Sequence, residues 1–521
     1  MSPRTTTLLG SVLVSLSSGT FYAFSAYAPQ LGAKLHITHT QLNIIAFAGS
    51  LGSYGTGPIW GRIVDTRGPQ IPFICALTLL FAGYMGIRSF YNGLFTLSET
   101  PHTLSPSFIM LCTFQLFCAA GGNAGLQASI NSTAKSFPDQ SRASATALVV
   151  AGYGLSAFIF STAAHTVFPG DTSSFLLLLA LGTSTPMLVG LWIVRPIPLY
   201  ESGTIGRVDT GLYEPISSVD DSSELSHSTE LPTLVDTPSP LLIPSPSPVG
   251  RQTAVQIDLH GRKLLGHRDF WVLFGILSLL AGTGLMYISN AGSITQALLA
   301  KGYPSWTVEM GAQLQAAQVS IISINNCLGR VVIGLVSDFA RNKYRVPRAH
   351  FLCVVSMLFL LSQLILLETD DAQYLWIASS LIGFSYGAAF GLSTVVCMEW
   401  FGLAHFSQNW GYAAISPGIA GTIFGLAFGY NVDSHISHGD TAGLASRLLP
   451  GLGRLAPSLR DVHSSAAGQC LEGRLCYGES LGLTTAACTA ALGLSVYAAW
   501  HKSREVTSKI LWDDEEEVEM G

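Results

Sequence analysis

Apolar runs of bilayer length decide what this chain can become. Twelve can be drawn, at residues 8–28, 41–60, 70–90, 107–129, 143–166 and 174–194, then 270–290, 311–336, 350–367, 373–397, 410–430 and 478–500. A helix needs about 20 mostly apolar residues to cross hydrocarbon. In lipid every backbone polar group must also be satisfied within the segment or by a closed barrel. The runs therefore predict an all-α membrane protein with twelve transmembrane helices in two six-helix halves. Only 11% of the residues are charged, against about 25% in a soluble protein. The net charge of −6 comes without a basic patch, so nothing suggests nucleic acid as a partner. The expected partners are the bilayer and a small solute.

The gap between the halves, residues 196–269, is rich in Ser, Pro and acidic residues, including Asp220-Asp221-Ser222-Ser223-Glu224 and Thr237-Pro238-Ser239-Pro240. Such a composition cannot bury enough apolar surface to fold, so it reads as a disordered linker between an N-terminal half (1–195) and a C-terminal half (270–500). It closes on Asp258-Leu259-His260-Gly261-Arg262-Lys263-Leu264-Leu265, an amphipathic lead into span seven. Residues 501–521 form an acidic tail. With the N-terminus inside, 18 of the 26 Lys and Arg lie on inside segments and seven outside, with Arg330 within a span. The positive-inside rule thus places both termini in the cytoplasm. The first run also resembles a secretory signal ending near Ala26-Tyr27-Ala28, but cleavage there would break the six-plus-six pattern. A second long loop, 431–477, falls outside and carries Cys470 and Cys476, a candidate disulfide in an oxidising compartment. The sequon Asn131-Ser132-Thr133 falls on an inside loop and is expected to stay unmodified.

One pattern occurs in both halves. After span two the chain reads Gly57-Pro58-Ile59-Trp60-Gly61-Arg62-Ile63-Val64-Asp65, and at the end of span eight Arg330-Val331-Val332-Ile333-Gly334-Leu335-Val336-Ser337-Asp338, each followed by cations (Arg67; Arg341, Lys343). A pattern in corresponding places of two apolar halves marks a duplicated transporter. The copies differ where Arg330 replaces Gly57. Arg330 lies eight residues before Asp338, about 12 Å along a helix, and a charge at that depth costs about 3 kcal/mol or more, so it marks a functional site.

The stretch Gly61-Arg62-Ile63-Val64-Asp65-Thr66-Arg67-Gly68, with its weaker partner Gly334, Asp338 and Arg341, resembles the major facilitator superfamily. Looser motifs resemble the nodulin-like and fungal monocarboxylate-transporter-homologue branch. These are Ser18-Gly19-Thr20-Phe21-Tyr22-Ala23-Phe24-Ser25, Gly152-Tyr153-Gly154-Leu155-Ser156-Ala157-Phe158, Asn290-Ala291-Gly292-Ser293 and the Cys470–Cys476 loop. The resemblance implies that spans one, four, seven and ten line a central path about which the halves rock. It also implies that the loop motif is a latch. Asp65 would pair with a cation or a helix N-terminus, and Arg62 and Arg67 would position the loop. Alternatively Asp65 only caps a helix and Arg67 anchors the chain inside.

Arg330 also matches the span-eight arginine with which monocarboxylate and oxalate–formate transporters hold a carboxylate. A guanidinium suits that task because it stays charged and donates two parallel hydrogen bonds. Candidate companions are Tyr22 on span one, Asn123 and Gln127 one turn apart on span four, Tyr287 and Asn290 on span seven, Asn325 and Asn326 about a turn above Arg330, and Tyr386 on span ten. Alternatively they only bond neighbouring helices. The span-one Lys and span-eight Asp of monocarboxylate transporters fall here at Ala26 and Val319, and no Asp or Glu sits mid-span. A uniporter, an exchanger or coupling through the substrate's own proton is therefore expected.

The leading reading is a transporter of a small organic anion such as a monocarboxylate, acting as a monomer without a cofactor. Alternatives are a neutral-solute transporter with a structural Arg330, and a non-transporting sensor or scaffold that signals through its linker. No phosphate-binding loop or His-Glu-x2-His is present, so neither an enzyme nor a metal-ligand set is read from the sequence. A dileucine-like Leu241-Leu242 in an acidic linker points to the vacuole membrane, with the plasma membrane the alternative.

Overall fold

A computed structural model describes residues 2–37, 39–95, 105–168, 171–198, 258–303, 307–439, 470 and 472–520. The core of the linker, with its Ser/Thr-Pro dipeptides and Leu241-Leu242, and most of the loop 431–477 lie outside the described residues. Among the described residues there is no β-strand, and ten helices are long and apolar enough to span a membrane. They begin with Gln70–Tyr91, Pro106–Ser136, Asp139–Ala163 and Thr172–Ile193 in the first half. In the second half they are Arg268–Gly302, Gln313–Tyr344, Ala349–Glu368, Ala372–Phe401, Phe406–Val432 and Gly478–Arg504.

The first two of the twelve expected spans are helical but broken, which is why they are not among the ten. Span one runs as Pro3–Ser18 and Phe24–Leu35, joined by the tight turn Thr20–Ala23. Ser17 and Ser18 both turn their hydroxyls onto the Val14 carbonyl, and such back-bonding bends a helix. Span two runs as His39–Ser50 and Gly57–Arg67 around a π-turn at Leu51–Gly55. Pro58 has no N–H for the fourth residue back, so the ladder fails there. Pro417 does the same in span eleven, which divides into Phe406–Ala413 and Ile415–Gly439. Spans seven, eight and twelve run longer than expected. Residues 501–520 continue the helix Gly478–Met520.

The outer faces carry exposed Leu13, Phe81, Leu188, Trp192, Leu361, Leu364 and Trp500. Such a surface suits lipid and would be an aggregation hazard in water. Each half buries its own core, around Phe73, Leu80 and Leu179 in the first and Leu298, Leu375 and Ile382 in the second. A further cluster crosses between the halves, joining Ile130, Ala134, Val149 and Val150 to Ile333, Leu392, Phe406 and Trp410. Cys470 and Cys476 are disulfide-bonded beside the turn Gly473–Cys476. That turn is tied down by Arg474, which donates to the Leu367 carbonyl and pairs with Asp370.

Candidate functional site

A cavity of about 620 Å³ enters between the halves. Its walls come from span one (Phe21, Tyr22, Phe24, Ala28), the first part of span two (Leu42 to Tyr54), and Leu285, Ile288, Gln315 and Val319 across from them. All of these lie away from the ends at Pro3, Arg67, Ser136 and Tyr344, so the cavity opens on the face opposite the chain termini. Its floor carries the Tyr22 and Tyr54 hydroxyls, hydrogen-bonded to each other at 2.8 Å.

Arg330 lies beyond that tyrosine pair. It is 3% exposed, and its nearest titratable groups are Tyr386, Tyr22, Tyr153 and Cys327, with no carboxylate among them. The guanidinium sits between the rings of Tyr153 and Phe390, 5.9 and 5.5 Å from their centroids. Nε donates to Asn326 Oδ1 at 3.0 Å and Nη1 to the Val150 carbonyl at 2.5 Å. The first bond follows from helix geometry, because residues four apart share a face. The second crosses from span eight to span five and so joins the two halves. Among the described residues Nη2 donates to nothing. The Tyr386 hydroxyl, also buried, faces Tyr22 and Tyr54 without a partner in hydrogen-bond geometry.

The companions read from the sequence separate into three groups. Tyr22, Asn326 and Tyr386 gather around Arg330. Asn123 and Gln127 are buried, with the Asn123 amide nitrogen and the Gln127 carbonyl oxygen unpartnered. The others face elsewhere. Tyr287 is fully buried and hydrogen-bonds Ser379, which in turn donates to Gln318 within the C-terminal half. Asn290 and Asn325 each donate to the carbonyl four residues back on their own helices, the usual fate of a lone amide in an apolar helix. Tyr153 and Phe390 were not legible as site residues, since only folding brings aromatics from spans five and ten to one cation, and Tyr54 was not legible because only folding sets it against Tyr22.

The repeated pattern explains the closed face. Residues four apart share one side of a helix, so Gly-x3-Asp presents a gap and, one turn later, an acceptor. At Gly61 an added Cβ would lie 2.1 Å from the Ser407 carbonyl oxygen, and at Gly334 one would lie 2.4 Å from the Ala147 side chain. Each glycine lets its helix touch the opposite half. Asp65 then accepts the Gln408 and Ser407 backbone N–H at 2.8 and 3.3 Å, and the Asn131 amide at 2.7 Å. Asp338 accepts the Ser144 backbone N–H at 2.7 Å, its hydroxyl at 2.6 Å, and Arg348 at 2.6 Å. Asp65 thus sits at the start of helix Phe406–Ala413 of the other half, where a negative charge is favoured, and Asp338 meets Ser144 in the second turn of helix Asp139–Val167. Arg341 pairs with Asp139 and Glu399, and the fully buried Arg348 with Asp338 and Glu399.

Arg62 and Arg67 are both exposed, and the side chains that meet Asp65 among the described residues are Asn131 and Lys135 of span four. Gly68 closes the helix, with its N–H on the Val64 carbonyl. The sequon residue Asn131 is likewise inside span four and 2% exposed, not on a loop.

Residues 8–430 match the family model of the Major Facilitator Superfamily. The chain is 26% identical over 463 residues to an uncharacterised membrane protein of Saccharomyces cerevisiae, covering 77% of this chain and 82% of that one. It is 24% identical over 471 residues to the "Probable transporter MCH1" of Gibberella zeae, covering 82% and 80%. Among solved structures, a bacterial homologue of the iron transporter ferroportin in its outward-facing state superposes with a TM-score of 0.57 at 12% identity, over 96% of this chain and 100% of that one. At such identity only the fold is shared, and with the family match across most of the chain it settles one point: this protein belongs to the Major Facilitator Superfamily.

Proposed function

We propose that the protein carries a small organic anion, a monocarboxylate in its simplest form, across the membrane by alternating access. The observation that carries the reading is Arg330, a buried guanidinium without a paired carboxylate below a cavity walled by both halves. A buried charge without a partner is costly, and an entering carboxylate supplies the partner. Nη2 of Arg330 and the hydroxyl of Tyr386 are the donors on offer. Asp65 and Asp338 hold the termini face shut in this state and release when the halves rock. With no acid beside Arg330, uniport, exchange or entry of the protonated substrate fits best.

The charge bias supports cytoplasmic termini, and in this reading the protein acts as a monomer in the vacuolar or plasma membrane. A second reading has its own observation. Arg330 is already bonded to Asn326 and Val150 and screened from the cavity by Tyr22 and Tyr54, which suits a structural arginine and a neutral solute. Uptake of labelled carboxylates into proteoliposomes decides between them. Saturable uptake lost in both Arg330→Ala and Arg330→Lys, with the variants folded, supports the anion. Uptake unchanged in both makes Arg330 structural.

A further inference from the structure

Asp258, His260 and His405 come together on the termini face, outside the transport path and outside the paired aspartates. Asp258 and His260 flank Leu259 on an extended stretch, His260 having φ −147° and ψ 164°. Alternation in such a stretch puts residues two apart on one side. Leu259 is pinned in between. Its N–H donates to the Phe401 carbonyl at 3.1 Å, its carbonyl accepts the Asn409 amide at 2.7 Å, and its side chain packs on the core. The backbone thus fixes two potential ligands over the loop between spans ten and eleven, where His405 stands at the start of helix Phe406–Ala413.

His405 Nδ1 lies 2.9 Å from Asp258 Oδ1, and His260 Nδ1 lies 3.5 Å from the same oxygen. The two imidazoles stack at 3.8 Å between centroids, and the three ligand atoms all fall within 4.8 Å of one another. Around a tetrahedral ion with bonds of about 2.1 Å, ligand atoms stand about 3.4 Å apart. The two contacts to Asp258 bracket that spacing, and turning the partly exposed rings about χ2 aims both Nδ1 atoms at one point. Two imidazoles and one carboxylate select a borderline transition metal and disfavour Mg²⁺ and Ca²⁺.

We infer that Asp258, His260 and His405 form a binding site for a divalent transition metal of the Zn²⁺ class, with its remaining positions filled by water. The site joins the returning end of the linker to the loop whose Ser407 and Gln408 amides hold Asp65. A bound metal therefore fastens the linker to the closed gate. The inference is independent of the solute and holds whether or not the protein carries an anion. No sequence motif announces the site, because His405 is far from Asp258 and His260 in the chain.

The test uses the full chain, purified without a polyhistidine tag, in detergent. Titration with Zn²⁺ alone is followed by calorimetry, and Co²⁺ is added as a spectroscopic substitute. Expected are one saturable Zn²⁺ site, a visible Co²⁺ spectrum of mixed nitrogen and oxygen ligation, and a rise in thermal stability on Zn²⁺ addition. His260→Ala and His405→Ala, checked for folding without metal, should each weaken binding by at least about ten-fold, since losing a ligand costs no less than losing an outer-shell partner. Asp258→Asn, which keeps the shape but not the charge, should weaken it too. No saturable Zn²⁺ binding by the unmodified protein overturns the inference. Binding that persists unchanged in both histidine variants overturns it equally, by placing the metal elsewhere.

Discussion

Replacing Asp65 by Ala should open the termini face. In the observed state its carboxylate takes two backbone N–H bonds from the opposite half, a short one from Gln408 at 2.8 Å and a longer one from Ser407 at 3.3 Å. Hydrogen bonds to a charged group contribute about 1.5–3 kcal/mol each, so the short bond counts for about 2 and the stretched one for about 1. The bond from Asn131 is left out because span four moves with Asp65. Asn131 also still reaches Ser407 Oγ at 2.5 Å in the variant. About 3 kcal/mol is about a hundredfold in an equilibrium constant. If the protein favours the state open at the cavity by about ten to one, the variant should favour the state open at the termini face by the same ratio. A cysteine at Ser50, which lines the cavity, reports this in a background freed of Cys75, Cys112, Cys118, Cys327, Cys353, Cys397 and Cys488. Its modification by an impermeant maleimide should slow about tenfold in Asp65→Ala. Asp65→Asn keeps an acceptor oxygen and should fall between. Gly61→Ala forces a Cβ onto a backbone oxygen and should slow labelling by a different route. Folded variants that all label at the wild-type rate would refute the latch and leave Asp65 as a mere helix cap.

Two further outcomes follow from the same contacts. Arg348→Met removes a fully buried cation from between Asp338 and Glu399, leaving Asp338 without a cation while Glu399 keeps only Arg341. The expected loss is about 3–5 kcal/mol of stability, read as a lower unfolding temperature in detergent, and Asp338→Asn in the same chain should restore part of it. Tyr386→Phe deletes a buried hydroxyl that lacks a partner, so stability should hold or rise slightly. Anion uptake should show a raised KM at unchanged folding, and an unaltered KM would take Tyr386 out of the site.

The sequence showed most of the architecture because the physical signal was local. A run of apolar residues is legible one segment at a time, and the Gly-x3-Asp pattern needs only one helix turn. What stayed hidden depends on contacts between segments. Asp65 was readable as an acceptor, but its donors Asn131, Ser407 and Gln408 come from spans four and eleven. Tyr287 and Tyr386 look alike in the sequence, yet one is absorbed by Ser379 and the other meets Arg330. The breaks in spans one and two were hidden for another reason. Mean hydropathy does not register a serine hydroxyl turned onto its own helix or a proline that lacks one N–H.

Comparing the copies shows where a duplicated fold gives up symmetry. Gly57 packs on the backbone of Gly411 in span eleven. At the equivalent place in the second copy Arg330 reaches the Val150 carbonyl of span five. Both contacts join the halves and must part when the halves rock, but they part differently. Two glycines separate with little to desolvate or re-bond. A guanidinium leaving a carbonyl in a dry interior keeps a donor that has to be satisfied, at a cost of about 1–3 kcal/mol if it is not. Under the proposed anion reading, a carboxylate reaching Arg330 from the cavity answers that demand as the cross-half bond breaks. The substrate is then positioned to lower the barrier of the step that moves it, which an empty carrier has to cross unaided. This ties the asymmetry of the copies to the proposed anion. A carrier with a second glycine at position 330 would rock as readily empty as loaded.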